Sequence, residues 1–386
     1  MSDALYDPLS DQTLANPFPV YSRLRETRPV YWHEGMRSWV VSRYKDCMSV
    51  LLQHEVFAGD WRRVGEEIPA SSMSIQSLDP PEQRRIRQLV MNGFHEQDLD
   101  ALGSRAFQLS RDILQRHTGA PAFDLVEEVA VPMALDSISR LLGVPTPDRR
   151  SFVAISDAIV DSMDEGLRPE VGDAGTAARV RLSELVHEWF EAKPERGLIG
   201  YLVRHRDPAL VPEDVVVNTT RVMFQAGYSS LSVAAGNAAL ALLENPESLR
   251  SLAANPEQLD TAVDELMRYD GPVQGTSRVC VTDTELGGQV ILRGQVVVVL
   301  FASANHDPEQ FTTPESLVLN RNPNPHLGFG WGPHVCTGSL HAKIALAGFV
   351  RSLVSLPVFP VLAGKPVRHQ RATVRCLQSL PLTLAG

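Results

Sequence analysis

Residues 329–338 read FGWGPHVCTG: three glycines, Gly330, Gly332 and Gly338, frame one cysteine, and a helical pattern starts directly behind it. No other short segment restricts the fold as much. Glycine admits positive φ and lets backbone come close to a flat ligand. A cysteine at a helix N-terminus faces the positive end of the dipole and free N–H groups, both of which favour the thiolate. A thiolate supported by backbone donors is the strong, electron-donating axial ligand that a haem iron needs. The ordinary alternative for a lone cysteine is an inert buried thiol in a turn. The glycine frame and the following helix weigh against it.

The remaining cysteines, Cys47, Cys280 and Cys376, form no CxxC pair, so the spacing of a structural zinc site is absent. The net charge of −10 and the lack of a basic block argue against a general nucleic-acid binder. The first twenty residues, MSDALYDPLSDQTLANPFPV, have neither a basic n-region nor an apolar h-region. The most apolar run, QVVVVLFASA at 295–304, is about half the length a membrane-spanning helix needs. These features predict a cytoplasmic protein that makes no use of a membrane and keeps its cysteines as thiols.

The pattern along the chain predicts one domain over 1–386, mainly α with small β-sheets. Residues 29–42 look like two strands around a Glu-Gly turn. From 80 to 270 apolar residues recur at helical spacing, most clearly in 101–117, 126–142, 178–191, 213–243 and 257–269. Residues 272–301 are rich in Val, Thr and Ile and read as short strands around Gly287-Gly288. Residues 303–335 form a long irregular stretch, and such loops are often functional. A helix then runs from about 337 to 354, and 365–386 reads as another hairpin.

FxxGxxxCxG ahead of a helix resembles the haem-binding loop of the cytochromes P450, and the order of the other motifs agrees from about residue 15 to the end. The resemblance implies the P450 fold: a triangular prism with haem b between a long central helix and the cysteine-loop helix. It implies that Cys336 is the metal ligand within the loop that starts at Phe329. It implies a buried Glu265–Arg268 pair joined by Arg321, with propionate contacts from Arg278, His334 and Arg87. Gln83 stands where the family often has histidine and brings no charge. Most such arginines are exposed, and a Glu/Arg pair at i, i+3 is ordinarily a solvated surface pair.

In the central helix, MFQAGYSSLSVAAG, the small residues Ala226 and Gly227 would let the helix pass close over the haem. The family's acid and alcohol, which organise water and protons for dioxygen cleavage, are replaced by Ser229 and Ser230. A hydroxyl remains but the carboxyl proton source is gone. By the same resemblance, the substrate pocket draws on about 60–78, about 155–180, Gln225, and the segment with Val273, Gln274 and Thr276. A small, partly polar natural-product-like substrate follows, for hydroxylation or for oxidative coupling or cyclisation. Electrons would come from a ferredoxin and its reductase, since no flavin or iron–sulfur motif is fused to the chain. The alternatives are a peroxide-using haem enzyme and a haem-binding sensor without turnover.

Overall fold

The structure, a computed structural model, describes residues 5–384. The ends of the expected domain and of its C-terminal β portion, 1–4 and 385–386, lie outside the described residues. The chain enters through two helices, α1 (Asp11–Ala15) and α2 (Phe18–Thr27). Strands β1 (Val30–His33) and β2 (Ser38–Val41) pair antiparallel around the predicted turn, and α3 (Tyr44–Leu52) and β3 (Phe57–Ala58) follow. The three N-terminal helices are additions to the expected pattern. They are only five to ten residues long, too short for periodicity to stand out.

The helical body begins with α4 (Glu82–His95) and α5 (Leu99–Arg116). The Asp98 carboxylate caps α5 by accepting from the Ala101 N–H. Strand β4 (Phe123–Asp124) and a π-turn at Val126–Ala130 lead into α6 (Val131–Leu142). The expected single helix over 126–142 is thus widened in its first turn. Helices α7 (Arg149–Asp161), α8 (Gly172–Glu191) and α9 (Gly197–His205) precede the central helix α10 (Glu213–Glu244). Next come α11 (Pro246–Ala254) and α12 (Leu259–Tyr269).

Helix α10 is apolar nearly all round, the pattern of a helix that other helices enclose. It is long and apolar enough to cross a membrane, but 67% of its most apolar window is buried inside the protein. That burial assigns it to the core. Its neighbours α6, α8 and α12 pack on it, and the same apolar cluster takes in Phe152, Phe224, Leu266 and Phe349.

The 272–301 segment supplies β5 (Thr276–Cys280), β6 (Thr284–Leu286), β7 (Gln289–Ile291) and β8 (Val296–Val299). The main sheet runs β1-β2-β8-β5-β3, with β2 and β8 parallel. The apolar run at 295–304 is therefore a core strand followed by a one-turn helix, α13 (Phe301–Ala304). From 305 to 338 the chain is almost free of regular structure until α14 (Ser339–Val354). The C-terminal segment is more than a hairpin. Strands β9 (Val361–Leu362), β10 (Val367–Arg368), β11 (Leu377–Ser379) and β12 (Pro381–Thr383) separate into two sheets. Strand β10 pairs with β11, whereas β12 pairs with β9 and reaches back to β4.

Candidate active site

The irregular stretch before the cysteine is fastened to one face of α12. Glu265 is fully buried and accepts from Arg268 at 2.8 Å, from Arg321 at 2.9 Å and from the Val318 N–H at 2.9 Å. Burial pushes its carboxyl pKa up, but these donors more than offset that and hold it below the usual range. All five N–H donors of Arg268 are used: two on Glu265 and three on the carbonyls of Asn305, Pro314 and Ser316. A buried charge pair is tolerable only when its remaining donors and acceptors are satisfied in this way. The same helix carries Asp264, which meets His326 at 3.3 Å and Lys343 of α14 at 2.6 Å. The Nδ1 of His326 in turn meets the Gly328 N–H at 3.1 Å. Thus α12 holds the loop on both sides of its last turn.

The loop then turns twice through the left-handed region, at Gly330 (φ 67°) and Gly332 (φ 70°). A Cβ on Gly332 would also lie 2.4 Å from the Leu51 carbonyl oxygen, so only glycine fits there. Gly338 differs: its φ is −89°, and a Cβ would make an ordinary contact with the Cys336 Sγ. Nothing in the structure requires glycine at that position. The Cys336 N–H donates to the Phe329 carbonyl at 2.9 Å. Phe329 packs against the helical core, with the Lys343 ammonium over its ring.

Cys336 is exposed at short range, yet enough protein surrounds it for burial to push its thiol pKa up. Both descriptions suit a side chain in a recess. The Gly338 N–H and the Arg87 guanidinium pull the other way and favour the thiolate. A thiol with a raised pKa stays protonated at neutral pH until a coordinating metal displaces the proton. Gln83 and Arg87, from α4, hold the loop backbone: Gln83 donates to the Pro333 carbonyl and Arg87 to the Val335 carbonyl, both at 2.8 Å. His334 meets the Asp79 carboxylate at 2.7 Å. Arg278 is 9% exposed and, among the described residues, forms no ion pair; its partners are the Thr276 hydroxyl and the Ser277 carbonyl. Burial lowers its pKa. A desolvated guanidinium without a carboxylate fits a site for a haem propionate.

On the other side, Ala226 is exposed in the middle of α10, between the buried Gln225 and the half-buried Gly227. Gly227 has a different use. A Cβ there would meet the Ile138 side chain at 2.5 Å, so its small size serves the packing of α10 on α6. The Ser230 hydroxyl donates to the Ala226 carbonyl at 2.6 Å, within its own helix. Ser229 faces a cavity of about 480 Å³ walled by α7, α10 and the C-terminal segment.

The four pocket positions expected from the sequence are absent from that wall. Gln225 is buried and donates to the Ser156 hydroxyl at 2.9 Å. Gln274 is buried and tied to Tyr21 and Gly271. Thr276 accepts from Arg278, and Val273 sits one layer back, bridged to the cavity-lining Val374. In their place the wall contains Asp157, His369 and Arg371. The Arg-rich run VRHQRATVRC was a signal for the last two, but their partner lies some 200 residues earlier in the chain.

A family profile described as Cytochrome P450 matches residues 99–356. The chain is 33% identical to Nocardicin C N-oxygenase of Nocardia uniformis subsp. tsuyamanensis, covering 97% of this chain and 98% of that one. It is 30% identical to cytochrome P450 monooxygenase PikC of Streptomyces venezuelae, over 97% and 92%. The crystal structure of CalO2 superposes with a TM-score of 0.88 at 30% identity, covering 98% of both chains.

Proposed function

The chain belongs to the cytochrome P450 family, and from that premise we propose that Cys336 would hold the iron of a haem b through its thiolate, in a monooxygenase acting on a small, partly polar, natural-product-like molecule. Membership makes it a haem-dependent oxidoreductase that takes electrons from redox partners. We assign the immediate electron donor to a ferredoxin served by its reductase. The observation that carries the reading is the loop geometry: a cysteine in a recess, two glycine turns at positive φ, and Gln83 and Arg87 holding the loop carbonyls on either side of His334.

When bound, the haem supplies dioxygen activation, with the thiolate favouring O–O cleavage. The protein's residues orient and shield. Arg278 offers an unpaired, buried cation for a propionate. Gln83 and Arg87 keep the cysteine loop in register through its carbonyls, and His334 is fixed against Asp79. The face of α10 at Ala226 would offer a bound haem a small-residue surface. Ser229 places a hydroxyl at the cavity, and Ser230, one residue on and bonded to the Ala226 carbonyl, keeps acceptor capacity; together they would hold water and relay protons in place of a carboxyl group. Nocardicin C N-oxygenase and PikC, as their names state, are an N-oxygenase and a monooxygenase; the mixed polar and apolar cavity wall supports chemistry of that kind here.

The test is reconstitution of haem-loaded protein with ferredoxin, reductase and candidate substrates. Consumption of NADH should rise with substrate and track product. A product mass increased by one oxygen marks hydroxylation, and one reduced by two hydrogens marks coupling or cyclisation. Turnover with hydrogen peroxide but never with ferredoxin would replace the reading with a peroxide-using enzyme.

A further inference from the structure

The cavity beside Ser229 has an unusual wall for an apolar-lined site. Val153, Val233, Val374 and Leu377 give flat apolar surface. Between them lies a charged junction joining α7 to the C-terminal segment. Arg371, 5% exposed, donates to Asp161 at 2.8 Å and to Asp157 at 3.0 Å, and its third nitrogen reaches the Cys376 Sγ at 3.4 Å. Asp161 lies behind the wall, whereas Asp157 lines it and is 44% exposed. Arg371 fixes the Oδ1 of Asp157, while Oδ2 makes no hydrogen bond among the described residues. A carboxylate oxygen is therefore held in one orientation at the cavity surface with acceptor capacity to spare.

The charges decide what that oxygen takes. At the wall Glu127 and Asp157 stand against Arg149, Arg150 and Arg371, and Asp161 behind it pairs with Arg371, so the wall and the layer behind it balance together. Burial and the nearby Arg371 push the His369 pKa down, which keeps its imidazole neutral at neutral pH. So balanced, the cavity has no net attraction for an ammonium or a carboxylate. A neutral donor on a flat apolar body gains the most, because it uses both the fixed acceptor and the valine surfaces.

We propose that Asp157, positioned by Arg371, is a specificity-determining residue that selects substrates bearing a neutral N–H group, such as a lactam, amide or nitrogen heterocycle. This deepens the functional reading above and rests on it. An apolar cavity distinguishes two apolar bodies of equal size poorly. An acceptor that the bound ligand covers, and that the wrong ligand leaves unpaired, distinguishes them better.

The probes are carbazole and dibenzofuran, flat tricycles of nearly equal size that differ in having or lacking an N–H. Binding to haem-loaded protein is followed by spectral titration and, independently of the haem, by calorimetry. Wild type should bind carbazole about tenfold more tightly, the scale of one hydrogen bond to a charged acceptor. Asp157→Ala should bring the two within about twofold. Asp157→Asn keeps a carbonyl acceptor and should retain an intermediate preference. Equal affinities in wild type, no measurable binding of carbazole, or a preference that survives Asp157→Ala would overturn the proposal. So would tighter binding of fluorene-2-carboxylate than of carbazole, which would shift recognition to Arg149 and Arg150. A sample that shows the thiolate-haem spectrum but no N–H discrimination sinks this inference alone; a sample without that spectrum sinks the reading of the site.

Discussion

The two sides of the site are built differently. Around α12 and the cysteine loop, every donor of Arg268 is used and Glu265 accepts from two arginines, the Asn324 amide and a backbone N–H, with the Asn324 Oδ1 the one buried atom of this network left without a partner among the described residues. Across the cavity, where α7 faces α10, Asp157 keeps at the cavity surface an oxygen that makes no hydrogen bond among the described residues. The first region is over-determined and the second is under-used. A ligand loop has to hold one geometry, and a redundant network of buried hydrogen bonds achieves that. A substrate wall has to leave polar capacity for something else to satisfy.

The sharpest way to break the contrast is Arg268→Ala. It leaves Glu265 buried without its main partner, a change that costs about 3–5 kcal/mol. Haem content after purification and the urea midpoint should both fall steeply. If both stay near wild type, the α12 network is not what holds the loop.

Acid is the next largest lever. His341 of α14 is buried, packs against α6 and meets the Ser137 hydroxyl at 2.9 Å. Burial lowers its pKa from 6.5 to about 4. The native state therefore binds this proton less readily than the unfolded chain. Its contribution is complete above pH 6.5 and is lost as the pH falls toward 4, a loss on the order of 3 kcal/mol. Urea unfolding at stepped pH should show that slope, and His341→Gln should flatten it. An unchanged slope in the variant would place the acid sensitivity elsewhere.

A smaller effect is expected at Gly227, where a side chain would collide with Ile138. Gly227→Leu should cost about 1–3 kcal/mol by overpacking, and Ile138→Ala in the same chain should recover part of it. Recovery would mark the cost as local to the contact of α10 with α6. A cost that Ile138→Ala leaves untouched would mean that residue 227 faces something other than α6.

The smallest expected change in stability is at Ser230, whose hydroxyl bonds only its own helix. Ser230→Ala should stay within ~0.5 kcal/mol of wild type while raising hydrogen peroxide formed per NADH consumed. An unchanged ratio with the native substrate would remove Ser230 from proton delivery.

What could be read from the residues follows the same division. The cysteine loop was legible because its constraints are local: two glycines at required φ values and a helix starting three residues past the thiol. The long apolar helix α10 and the pairing of β1 with β2 were legible from periodicity. Arg278 and the partners of Glu265 were placed by family resemblance, since nothing in an exposed-looking Arg or Glu marks it as buried. The pocket positions expected from the sequence do not line the cavity beside Ser229. Gln225 and Gln274 look like polar groups available to a ligand, but both are buried, Gln225 with its amide N–H2 on Ser156 and Gln274 between Tyr21 and Gly271. The pairing of Asp157 with Arg371 joins α7 to the C-terminal segment, and separations of that kind leave no periodic trace. The contact of Gly227 with Ile138 was not legible for the same reason: a small residue signals close approach without saying to what.

The most direct test of the account is the absorption spectrum of the reduced, carbon-monoxide-bound protein, for wild type, for Cys336→Ser, and for alanine variants of Cys47, Cys280 and Cys376. The account predicts a strongly red-shifted Soret band in wild type and in the three alanine variants, and its loss in Cys336→Ser alone. A normal red-shifted band in Cys336→Ser would contradict the assignment of the thiolate and everything built on that loop.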